Sequence, residues 1–100
     1  MIVRTWRAEA TVNNVVKYRM HFENNVYPQL SHIIGFKNAQ VMQREKGQLI
    51  EIIVQTFWES MDDVKKFAGA NPHVAVVEQE AKDILLRYDS TVEHYTLVFS

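Results

Sequence analysis

Four histidines and no cysteine set the chemistry open to this chain. Without a thiol there is no disulfide framework, no thiolate zinc site and no sulfur nucleophile. No two histidines stand four apart with a third ligand to follow, so no metal centre is expected. Proton transfer near neutral pH remains, and imidazole is its natural acceptor. His94 is the first candidate, on a strand face with Val92, Thr96 and Val98. The same position also suits a structural or interfacial histidine. His73 follows Pro72 in what reads as the first turn of a helix, where the helix dipole lowers an imidazole pKa. It is expected at a wet helix end, exposed. His21 and His32 fall off the apolar stripe of the first helix and are expected to be solvated. Trp6 and Trp58 offer flat faces for an aromatic guest, and equally the bulk that fills a small core. Asn24 and Tyr27 flank a kink expected at Pro28, where freed backbone groups would open a pocket mouth. Arg7 could hold a carboxylate or simply end a strand. Ser60 reads as a helix cap rather than a nucleophile, since no base is implied near it.

These residues need a scaffold, and its main beam is Leu49 to Trp58. Ile50, Ile52, Val54, Thr56 and Trp58 alternate with Leu49, Glu51, Ile53, Gln55 and Phe57. Only Glu51 and Gln55 are polar on the weaker face, so the strand is expected to be central, with that face covered. Ile2 to Ala10 reads as the first strand, with its arginines at strand ends or partly wet positions. Val15, Tyr18, Phe22, Val26, Leu30 and Ile33 form one helical stripe. Gly35 stops it, Phe36 to Glu45 is the second strand, and Lys46-Gly47-Gln48 closes a hairpin. Ser60 opens the next helix and Gly69 ends it. Asn71-Pro72 predicts a last helix carrying Val74, Val77, Ala81, Ile84, Leu85 and Tyr88. Thr91 to Phe99 is the fourth strand.

The order strand, helix, strand, strand, helices, strand implies an α+β fold. Two right-handed crossovers give a ferredoxin-like split βαβ with a four-stranded antiparallel sheet. Helices then cover one sheet face. The other would show Ile53 and Phe57, joined by Tyr95, Leu97 and Phe99 if they point that way. Such a patch on a lone chain is an interface, so a homodimer packed sheet to sheet is expected. One hundred residues make one domain, residues 1–100. Net charge is −1 with signs intermixed, which argues against a nucleic-acid partner. No stretch reaches the length of a membrane span and the N-terminus lacks the apolar segment of a signal peptide. A cytoplasmic location is expected, and the absence of cysteine is compatible with it.

IVRTWR at 2–7, Pro28 with Leu30, the Gly35-Phe36 strand start, FWES at 57–60, FAG at 67–69, VAVV at 74–77 and VEHY at 92–95 together resemble the antibiotic biosynthesis monooxygenase family. The resemblance implies a dimeric α/β barrel with a ligand pocket between sheet and helices in each subunit. It implies oxidation of a small aromatic, phenolic or quinol substrate by molecular oxygen, with no cofactor. Fold alone does not fix chemistry. The alternative is a non-catalytic dimeric small-molecule-binding or stress-response module. Some members of the family degrade haem. The positions that would serve that chemistry fall at Trp6 or Arg7, at Phe67 and at Val77, and none carries the residue required. Haem degradation is not expected. On the cofactor-free reading, His94 is the proton acceptor, and Trp6, Arg7, Asn24, Tyr27, Trp58 and His73 surround the substrate.

Overall fold

A computed structural model describes residues 1–100. Strand β1 (Ile2–Thr11) runs between β3 (Leu49–Trp58) and the chain's C-terminal strands. Strand β2 (Phe36–Lys46) forms the far edge, paired to β3 through the two-residue turn Gly47-Gln48. The order β2-β3-β1-β4, all antiparallel, is the split βαβ arrangement, and β3 is central as its composition requires. The fourth strand comes in two pieces along β1: β4 (Arg87–Tyr88) and β5 (Glu93–Thr96). Between them Asp89 to Val92 leaves the ladder.

The alternation of β1 and β3 decides what each face carries. Register pairs Arg4 with Thr56, Trp6 with Val54, Ala8 with Ile52 and Ala10 with Ile50. These side chains face the helices. The core lies there, with Trp58, Val64, Leu30 and Ile52 at its centre, each no more than 1% exposed. Burying a large aliphatic or aromatic side chain stabilises by about 1.5–3 kcal/mol, so this face drives folding.

Helix α1 (Val12–His21) leads into a π turn (Phe22–Val26) and then α2 (Tyr27–Ser31). Proline at position 28 cannot donate to the ladder and crowds the turn before it. The chain absorbs this by widening rather than breaking: the Tyr27 N–H reaches back five residues to the Phe22 carbonyl. The expected interruption near Val26–Tyr27 is therefore one inserted residue within a continuous helical path. Helix α3 (Met61–Ala68) opens on Ser60, whose Oγ accepts from the Asp63 N–H at 3.3 Å, and closes on Gly69 at φ +84°.

The last helix differs from expectation. Helix α4 spans only Gln79–Ile84. Residues 71–78 form instead a strap across the end of the sheet. Val74 bridges Thr91, the Ala75 N–H donates to Ser90 O at 2.9 Å, and the Val92 N–H donates to His73 O at 2.9 Å. Backbone groups that would begin a helix at Pro72 are spent on the C-terminal segment and on Arg4. The stop at Tyr88 also moves, because Leu86 and Tyr88 already run beside β1.

No helix is long and apolar enough to cross a membrane.

Candidate functional site

A cavity of about 70 Å³ lies between the helix-facing side of the sheet, the first helix and the strap. Twelve of its 17 lining residues are hydrophobic, so any polar group on its wall stands out. Four such groups are cationic or titratable: Arg4 on β1, Tyr18 and His21 on α1, and Glu78 at the end of the strap.

Arg4 was expected at a strand end or a wet position. It is 5% exposed. No carboxylate makes an ion pair with it. Its Nη1 donates to Pro72 O and, at 3.0 Å, to His94 Nε2, while Nη2 donates to Val74 O at 3.1 Å. Three of its five N–H donors are thus engaged within the chain. The guanidinium also lies 5.9 Å from the Phe67 ring centroid, a cation–π distance. Burial pulls its pKa down to about 10, which leaves it charged at neutral pH. A buried cation without a counter-ion, facing an apolar space, is a place where a guest's negative charge is stabilised.

His94 pairs with Arg4 across the β1–β5 ladder. A guanidinium only donates, so His94 Nε2 must accept, and its proton sits on Nδ1. That Nδ1 is buried without a partner. Burial first, then the charges of Arg4 and His73, hold the His94 pKa below its usual value. The expected proton acceptor is therefore committed: its lone pair belongs to Arg4, and it stands behind the cavity wall, not on it. His73 is exposed as expected, but on the strap rather than in a helix, with its ring edge-on to His94 at 5.7 Å.

Trp6 lines the cavity. Its indole N–H is satisfied by Asp89 O at 2.8 Å, and the ring stands 6.1 Å from Tyr18 and 6.5 Å from Tyr88. Trp58 does not line it. It is fully buried, stacked on Phe67 and edge-on to Phe36, and donates to Thr56 Oγ1 at 2.8 Å. Arg7 points to the helix-free face, since one residue's shift along a strand reverses the side. Asn24 is exposed beside an outer groove, and Tyr27 packs edge-on to Phe36. Trp6 and the Arg4–His94 pair thus belong to this region, while Arg7, Asn24 and Tyr27 lie outside the cavity.

His21, expected to be solvated, is 5% exposed and lines the cavity. Its Nδ1 meets Glu80 Oε2, an oxygen that also accepts from Asn25 Nδ2 at 2.7 Å. The widened turn puts Asn25 over the same carboxylate. The signal missed in the sequence was Tyr18 to His21, a spacing of three that shares the buried stripe. For Arg4 it was the shared strand face with Trp6 and Ala8.

Two solved structures have this arrangement of elements. A single-residue variant of MhuD, solved with two manganese protoporphyrin IX molecules per active site, superposes with a TM-score of 0.68 at 17% identity, over 100% of this chain and 97% of that one. A Bacillus cereus protein, described as a candidate antibiotic biosynthesis monooxygenase, gives 0.56 at 19% identity, over 99% and 92%. The chain has the fold these two proteins share. No family sequence model matches it, and no curated protein matches it in sequence. In this fold the cavity lies between sheet and helices, where the sequence resemblance placed a pocket.

Proposed function

We propose that the chain is a small monooxygenase-like enzyme that oxidises a phenol or quinol with molecular oxygen, without a cofactor. The observation that carries this reading is Arg4, a buried guanidinium with no carboxylate partner on the wall of an apolar cavity. Oxygen reacts with electron-rich aromatic anions. A fixed cation in a dry site lowers the cost of making one there. The reaction balances without an outside reductant. A phenol with a free ring C–H loses its O–H and C–H protons and takes one oxygen atom at that carbon. The O–O bond breaks, the product is a quinone, and the second oxygen leaves with both protons as water.

A porphyrin, which the MhuD structure holds, does not suit these residues. Val77 on the cavity wall has no ligating atom, and Phe67 is stacked on Trp58. Haem titration is expected to leave the Soret band unshifted.

The partners in this reading are a small aromatic molecule and a second copy of the chain, and the setting is the cytoplasm. Oxygen uptake with hydroquinones, naphthols or catechols tests it. Turnover is expected with at least one of them, falling by about a hundredfold in Arg4→Met, the scale for removing one charge-stabilising donor. Binding without oxygen uptake would favour a non-catalytic module. Uptake unchanged in the variant would overturn the reading.

A further inference from the structure

His21 stands where the cavity meets the outer surface. Its side chain is 2% exposed, its ring borders the cavity on one side and an outer groove on the other, and its Nε2 is buried with no hydrogen-bond partner. The nearest charge to Nε2 is Glu78 Oε1 at 3.9 Å, beyond hydrogen-bond reach. Nδ1 faces Glu80, whose side chain is 57% exposed. An ionised carboxylate only accepts, so Nδ1 carries the proton and Nε2 keeps its lone pair. Asn25 Nδ2 lies 3.1 Å from His21 Nδ1 and 2.7 Å from Glu80 Oε2; with Nδ1 protonated, the amide donates to the Glu80 oxygen alone and fixes the carboxylate and with it the imidazole plane. A carboxylate behind one nitrogen and a free lone pair at the other is the geometry of a histidine base held in one tautomer.

We propose that His21, not His94, is the proton acceptor of the cavity, with Glu80 as its positioning residue. The inference rests on the reading that the cavity takes a phenol. The guest's O–H bond breaks and an N–H bond forms at His21 Nε2. The oxyanion is left facing the Arg4 guanidinium across the cavity, and Glu80 stabilises the imidazolium. When the O–O bond of the oxygen adduct breaks, His21 returns that proton to the departing oxygen, the ring C–H proton supplies the second, and that oxygen leaves as water. The titratable and charged groups that face His21 are Glu78 and Glu80 beside it, Lys17 and Tyr18 on its own helix, Asp83 across the outer groove and Arg4 from the sheet.

The test uses 4-nitrophenol, whose neutral and ionised forms absorb differently, bound to the full chain below the probe's own pKa. The wild type is expected to hold it ionised. In His21→Gln the ratio of ionised to neutral bound probe is expected to fall by about tenfold or more, one pKa unit at least. The nitrogen NMR shifts of His21 supply a measurement that needs no variant, with Nδ1 protonated and Nε2 bare. Glu80→Gln is expected to blur that tautomer preference and shift the pH profile of probe ionisation. A probe bound ionised to the same degree in wild type and His21→Gln overturns the role of His21 and leaves the cavity reading standing. So does a proton found on Nε2 instead of Nδ1. A probe that binds neither protein defeats both readings.

Discussion

Arg4 and His94 form a pair in which one partner is fixed as a donor and the other is thereby fixed as neutral. The energetic consequence can be read in a pH titration. Folding lowers the His94 pKa from 6.5, through burial first and then through Arg4 and His73. Well above pH 6.5 neither the folded nor the unfolded form binds the proton, and His94 leaves stability unchanged. As pH falls below that value the unfolded chain takes up a proton that the folded chain refuses. Stability therefore drops, and the loss stops growing only below the depressed folded pKa. His94→Gln is expected to flatten this part of a melting-temperature profile. An unchanged slope would mean that His94 is protonated in the folded protein at no cost. Strand alternation placed Arg4 beside Trp6 and Ala8 from the sequence alone. Taking an arginine as the mark of a strand end set that pattern aside. His21 was hidden for another reason. Its carboxylate partner is fifty-nine positions away, and no local pattern reports such a pair.

Elements were legible where their causes are local. The first three strands, the hairpin at Gly47, the Ser60 cap and the close at Gly69 follow from alternation, turn chemistry and capping, and all are present, whereas the fourth strand, expected over Thr91–Phe99, forms only at Glu93–Thr96 with a separate piece at Arg87–Tyr88. Proline 28 showed where a helical hydrogen bond must be lost, but not how the backbone would close around the loss. The strap was misread as a helix because its partners, Arg4 and residues 90–92, are distant in sequence. Glycine makes a test at this scale. Gly35 and Gly47 both sit at positive φ, +99° and +65°. A Cβ on Gly35 would lie 2.2 Å from Asp63, whereas Gly47 has open space around it. Gly47→Ala is expected to cost about 1 kcal/mol, the penalty of the backbone conformation alone. Gly35→Ala should cost about 2–3 kcal/mol, since Asp63 also accepts from Ser60 Oγ and Lys66 and cannot yield freely. Denaturant melts of the two variants give the comparison, and equal losses would refute it.

At the scale of the molecule, the helix-free face is two-natured. One end carries Val3, Phe57 and Tyr95, the other an ionic group in which Arg44 meets Glu51 at 2.7 Å and Lys46 meets Glu9 at 3.0 Å. The sequence foretold the apolar half, while the ionic half needed the register to bring β1, β2 and β3 side by side. Val98 and Phe99 trail beyond β5 at 89% and 90% exposed. A second copy is proposed to cover the apolar end, with the intermixed charges compatible with self-pairing. Light scattering at micromolar concentration is expected to give twice the chain mass, and Phe57→Arg to give the mass of one. A single-chain mass for the unaltered protein would refute the pairing. Strand β1 buries Val3, Arg4 and Thr5 in succession, two toward this face and one toward the cavity. It is a party wall between the cavity and the face proposed for pairing. Any slide of that backbone to suit the proposed second copy would move the guanidinium by the same amount, so the proposed pairing and the proposed binding of a guest are expected to vary together.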